Sequence, residues 1–149
     1  MSLISDIKDI VKDISPESTF RFSSYFKANV KGHSLKKENL PYIIFDNELV
    51  KDVEIMKNAN LKKDTRIKLY FLDMDNPKND DEEREAIRLD MEAIADRVMV
   101  RIFQLSYVQT VGTTNPTYTT DPVFNAFSGD FSGVVCTMRT KIQETVKWC

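Results

Sequence analysis

Apolar and polar positions alternate most cleanly in residues 65–71, TRIKLYF, where Ile67, Leu69 and Phe71 share one face and Arg66, Lys68 and Tyr70 the other. A two-residue period of this kind predicts a half-buried strand. Asp73, Asp75, Asn76 and Pro77 then end it, because proline cannot donate to a ladder and Asx residues favour turns. From about residue 80 the period becomes helical. Ile87, Met91, Ile94, Val98, Ile102 and Leu105 recur at steps of three or four and draw one apolar stripe. Asp80 is placed to cap the first turn, with Glu83 reaching back in the manner of a capping box. Asp81, Glu82, Glu83 and Glu85 sit where the helix dipole favours negative charge. The helix is expected to run to about Tyr107.

The flanks follow the same two periods. Leu3, Ile7, Ile10 and Ile14, with Ile4 and Val11 beside them, predict a short amphipathic helix that stops near Ser15–Pro16. Phe20, Phe22, Tyr25 and Phe26 follow in a segment of mixed period, read as a strand or extended arm. Gly32 and residues 33–39 read as a polar loop, and residues 41–45 (PYIIF) as a compact apolar strand ending in an acidic turn at 46–48. Residues 50–56 alternate again, with Val53 and Ile55 bracketed by Asp52, Glu54 and Lys57. Residues 58–63 are expected to turn into the strand at Thr65. Residues 131–146 predict a last long strand, with Val135, Thr137, Arg139 and Lys141 on one side and Val134, Cys136, Met138, Thr140 and Ile142 on the other.

Between helix and last strand, residues 104–130 combine Gly112, Asn115, Pro116, Pro122, Gly129 and many threonines with Tyr107, Val108, Val111, Tyr118, Val123, Phe124 and Phe127. A loop this long inside a compact domain usually binds something or is disordered, and its aromatic and β-branched content argues against disorder. It reads as an extended arm or a β-hairpin turning near 112–116. It either reaches a neighbouring subunit or tucks against its own domain.

Composition adds little to this picture and charge adds more. The 149 residues are 42% hydrophobic and 30% charged, which suits one globular domain. Net charge is −2, so no global basic field argues for nucleic acid. Yet residues 73–96 carry ten acids and three bases, whereas residues 1–72 and 97–149 are net positive. A chain with an acidic block and basic flanks is able to pair with copies of itself. Cys136 and Cys149 make no disulfide framework: the first lies in an apolar run and the second is the last residue, expected to be exposed. A reducing cytosol fits that usage. The first ten residues carry charges at Asp6, Lys8 and Asp9 and lack an uninterrupted apolar signal-peptide core, and no segment approaches the roughly 20 apolar residues of a membrane span.

Chemistry-bearing constellations are sparse. His33 is the one histidine and reads as a solvated loop residue, so a histidine-dependent triad has no other source. Neither cysteine has zinc-ligand spacing. The four glycines form no phosphate-cradling motif. Lys36, Lys37, Lys57, Lys62, Lys63, Arg66 and Lys68 read as a solvated basic edge without the interleaved aromatics of a nucleic-acid platform. Asp73 and Asp75, at a strand end, are the one candidate for Mg²⁺ or Mn²⁺ chemistry. A calcium loop is ruled out there by Pro77 and Lys78, and a turn plus helix cap accounts for the same residues.

The order of short helix, PYIIF strand, IKLYFLDMD strand, long helix at 82–107, threonine- and aromatic-rich excursion and closing strand GVVCTMRTKI resembles the tail-terminator and tail-completion proteins of tailed bacteriophages. The excursion is long for that pattern, and residues 19–30 are unusually aromatic. The resemblance implies a non-enzymatic structural protein of the virion, made in the host cytoplasm. It would form a ring at the head–tail junction or tail end with copies of itself and neighbouring neck or tail proteins. It implies no cofactor, no metal, no membrane and no sequence-specific nucleic acid. Tyr107, Tyr118, Phe124 and Phe127 are then the candidate interface anchors, since aromatics dominate interface hot spots. The competing expectations are a small metal-dependent enzyme acting on phosphate esters through Asp73 and Asp75, and a monomeric binding module using the arm as a recognition loop. The expected fold is a single α+β domain over 1–149 with an arm or hairpin at about 107–130. Its mostly antiparallel sheet has about four or five strands, one long helix packs across it, and a short N-terminal helix completes it. Ile87, Met91, Ile94, Val98 and Ile102 are expected to face Ile43, Phe45, Ile67, Leu69 and Phe71.

Overall fold

Two fifteen-residue strands, Asn60–Met74 and Phe131–Thr145, pair antiparallel in one unbroken register from Asn60↔Thr145 to Met74↔Phe131 and form the spine of the molecule. The computed structural model describes residues 3–23, 40–46, 51–58, 60–75, 78–109, 115–125 and 131–145. Along the chain the elements are α1 (Leu3–Ile14), β1 (Thr19–Ser23), β2 (Tyr42–Asp46), β3 (Lys51–Ile55), β4 (Asn60–Met74), α2 (Asp81–Phe103), β5 (Val108–Gln109), β6 (Tyr118–Asn125) and β7 (Phe131–Thr145). Tyr25, Phe26, His33, Pro77, Gly112, Phe127, Gly129 and Cys149 lie outside the described residues.

The second edge of β4 is shared. β2 pairs with its C-terminal half at residues 69–72, and β3 with its N-terminal half at 61–65. The second edge of β7 is divided likewise between β6, at 133–138, and β5, at 141–142. β1 lies outside β2 and parallel to it, so the sheet is mixed. The α+β class holds, but the described residues make seven strands rather than four or five. β5 is only two residues long, and β6 contains Asp121 and Pro122, a composition that reads as loop until β7 supplies its partners. Proline is tolerated there because β6 is an edge strand.

Two boundaries differ from the periodic expectation for physical reasons. Residues 60–63, expected as a turn, open β4: Lys62 stands opposite Glu54, and Lys63 Nζ lies 2.6 Å from Glu144 Oε2 on β7. Cross-strand charge pairs thus extend the strand beyond its apolar alternation. The long helix ends at Phe103 rather than near Tyr107, with Gln104 as its C-cap. The Leu105 N–H bonds Ile102 O at 3.1 Å and the Val108 N–H bonds Leu105 O at 3.0 Å, a turn that delivers Val108 to β7. Leu105 still packs on the core, so its spacing continued the helical stripe after the helix had stopped.

Both helices cover one face of the sheet. Ile43 and Phe45 of β2, Ile67, Leu69 and Phe71 of β4, and Val134, Cys136 and Met138 of β7 form that face. Ile7, Ile10 and Val11 of α1 and Met91, Ala95, Val98, Met99 and Ile102 of α2 pack against it. Ile87 and Ile94 join from the margin, half-buried, while Ala95 and Met99 lie deeper than the stripe foretold. Asp80 caps α2 as expected, accepting the Glu83 N–H at 2.8 Å. A second cluster, Tyr42, Ile44, Tyr70, Leu72 and Phe131, is buried on the opposite face. β2 is therefore apolar without alternation because it is covered on both sides.

Candidate subunit interface

The acidic pair at the end of β4 is not arranged as a pair. Asp73 turns back on its own backbone, accepting the Met74 N–H at 2.7 Å. Asp75 is 1% exposed, and its two oxygens accept from three protein donors. These are Ser132 Oγ at 2.6 Å and Arg84 Nε at 3.2 Å, both on Oδ2, and Asn79 Nδ2 at 2.9 Å on Oδ1. Among the described residues no three Asp, Glu, His or Cys side chains gather as a metal ion requires. A buried carboxylate joining the end of β4, the first turn of α2 and the start of β7 is a structural hub, stable because its charge is both paired and hydrogen-bonded.

Two of the candidate anchors are engaged within the chain. The Tyr107 hydroxyl donates to Asp6 of α1 at 2.5 Å, and the Tyr118 hydroxyl donates to Asp96 of α2. Partial burial pushes both phenols well above their ordinary range, and the carboxylate acceptors push further in the same direction. Residues 118–125, inside the stretch read as an arm or hairpin, lie as β6 against β7, with Tyr118 joining the main core. Phe124, four-residue neighbour to Thr120 on the same side of β6, stands 47% exposed beside Asp81, Arg84 and Glu85 at the start of α2. Phe127 lies outside the described residues.

Between the C-terminal half of α2 and the start of β6 lies a shallow apolar pocket of about 250 Å³, lined by Met99, Val100, Phe103, Pro116, Tyr118 and Met138. Tyr118, which lines it, is the residue bonded to Asp96, and a separate recess is formed by Phe124 with Asp81, Arg84 and Glu85. Beneath β6, Thr120 Oγ1 lies 3.6 Å from the buried Cys136 sulfur. Burial pushes that thiol up to about 11, which keeps it protonated and unreactive.

Charge is distributed by side. The outward surface of α2 carries Glu82, Glu83, Glu85, Asp90 and Asp96, all exposed. On the sheet face away from the helices, Arg66 stands directly opposite Arg139, beside Lys68 and Lys141. Directly opposed like charges are unfavourable. Asp64 relieves the strain by forking Arg139, with Oδ1 3.0 Å from Nε and Oδ2 2.6 Å from Nη2. The Arg139 guanidinium in return holds the Asp64 carboxyl below its usual range.

Sequence reading missed one surface entirely. Val53 and Ile55 alternate as a core-facing strand would, yet they are 51% and 81% exposed. Register places them opposite Lys63 and Leu61, on the same face of the sheet as Ile67, Leu69 and Phe71, but the helices that bury those residues leave β3 uncovered. Leu89 and Val100, 52% and 51% exposed, fall on the outward side of α2 and also lay outside the predicted stripe. No helix among the described residues is long and apolar enough to cross a membrane. The sequence matches no protein-family model and no curated protein.

Proposed function

We propose that this chain is a structural virion protein of a tailed phage. Its copies associate into a ring at the head–tail junction or the tail end, in the manner of tail-terminator and tail-completion proteins, with neighbouring neck or tail proteins as further partners. The work is done by contact geometry and interface energy rather than by catalysis.

The observation that carries the reading is the placement of large apolar side chains outside both buried clusters. Ile55, Val53, Leu89, Val100 and Phe124 are all about half exposed or more and come from three separate elements. Single exposed apolar residues are ordinary, but rows of them at strand or helix spacing mark surfaces that bury against a partner. Phe124 is the outward anchor of the β6 flank. Tyr107 and Tyr118 contribute by holding the polypeptide around it to α1 and α2.

The test is solution mass by light scattering after size exclusion, across protein concentration and salt, followed by electron microscopy. A discrete oligomer of six or more copies, seen as closed rings, supports the reading. A particle that stays monomeric and forms no ring when offered tail tubes overturns it.

A further inference from the structure

The outward side of α2 carries a second apolar row. Ala86, Leu89, Ala93 and Val100 are all exposed and recur at helical spacing on the side opposite Met91, Ala95, Val98 and Ile102. A helix that is apolar on two opposite sides is built to be sandwiched, and only one of these sides meets the sheet. Acids flank the outer row: residues 81–96 hold seven acids and two bases.

The β3–β4 hairpin presents the complementary surface. Val53 and Ile55 stand on one side of β3, paired to Lys63 and Leu61 of β4, and Met56 N–H bonds Asn60 O at 2.9 Å to close the turn. Strand alternation puts Asp52 and Glu54 on the other side. Residues 51–63 hold four bases and two acids, so the hairpin is basic where α2 is acidic. The two surfaces cannot meet within one copy. The hairpin belongs to the sheet, and Ala86, Leu89 and Ala93 lie on the side of α2 opposite the residues that pack on that sheet, with Val100 at the shoulder of the row.

We infer that the β3–β4 hairpin of one copy docks, through Val53 and Ile55, on the outer row of α2 of a second copy. The inference rests on the assembly reading above and names its contact. Apolar side chains meet apolar side chains, Lys57 meets the acids that flank the row, and the two patches differ. The contact is therefore heterologous, the type that closes into rings when the rotation between copies allows.

The experiment uses the full chain, alone and mixed. Ile55→Glu damages the hairpin and Leu89→Arg damages the helix row; both positions are exposed, and circular dichroism checks that each variant folds. Each variant alone is expected to self-associate at least tenfold more weakly than the parent. Mixed in equal amounts they regain one intact contact per pair, so a 1:1 dimer forms in the mixture and in neither solution alone. If both variants assemble as the parent does, the contact is wrong while the ring reading stands. A mixture that forms no dimer overturns the head-to-tail pairing. A parent that is monomeric at every concentration overturns docking between copies, and leaves incorporation into tails to be judged by its own test.

Discussion

Ser132, at the start of β7, donates a 2.6 Å hydrogen bond to Asp75, 57 residues earlier at the end of β4, and neither side chain reaches solvent appreciably. Arg84 of α2 binds the same carboxylate oxygen at 3.2 Å. One buried carboxylate thus sets where the sheet spine stops and where the long helix begins.

Asp75→Ala removes the carboxylate that Ser132, Asn79 and Arg84 all bond. Removing one partner of a buried pair costs about 3 kcal/mol, discounted here toward the lower end because Arg84 is 27% exposed. For a chain of this length that lowers Tm by roughly 6–12 °C. Calorimetry with urea titration measures it. A loss below about 1 kcal/mol would return Asp75 to the list of functional carboxylates.

Gly133 of β7 pairs with Leu72 of β4, with the β4 backbone directly beside it. A Cβ built there meets the Phe71 carbonyl oxygen at 1.9 Å, and that oxygen is backbone, unable to swing aside. Gly133→Ala must push the two spine strands apart, with an expected loss of about 2–3 kcal/mol, the range of overpacking. Equilibrium unfolding checks this, and a neutral result would show that the register tolerates a local shift.

Tyr118→Phe and Tyr107→Phe each remove one hydroxyl that bonds a carboxylate on a helix. Each change is expected to lower stability by about 1 kcal/mol, since both sites are partly solvated. Hydrogen exchange separates them: the first should speed exchange in β6 and the second in α1. Uniform change across the protein would deny them this local role.

Cys136 makes stability depend on alkaline pH. Burial raises its folded-state value to about 11 from 9.0, so the folded thiol stays protonated while the unfolded one ionises. Its contribution is complete below pH 9 and fades as pH climbs toward 11, a loss of about 2 kcal/mol. Cys136→Ala should flatten the stability profile over that window. Tyr107 and Tyr118, also raised, add to the decline only above about pH 10.

Period alone determined which residues share a side of each element. The faces of β4 and β7, the buried stripe of α1, the Asp80 cap and the gathering of α2 with Ile43, Phe45, Ile67, Leu69 and Phe71 in one core were legible, because burying apolar surface selects residues at strand or helix spacing; that α2 lies chiefly on β7 was not. Tertiary structure alone decided what each side meets. β6 became a strand because β7 offered it an edge, and β1 lies parallel to β2, a pairing that local sequence does not encode. Asp75 found its partners on two other elements, and Val53 and Ile55 share the core-side face of the sheet yet were left uncovered. Spacing is a local property written in neighbouring residues. The surface that covers a face is chosen by chain segments tens of residues away.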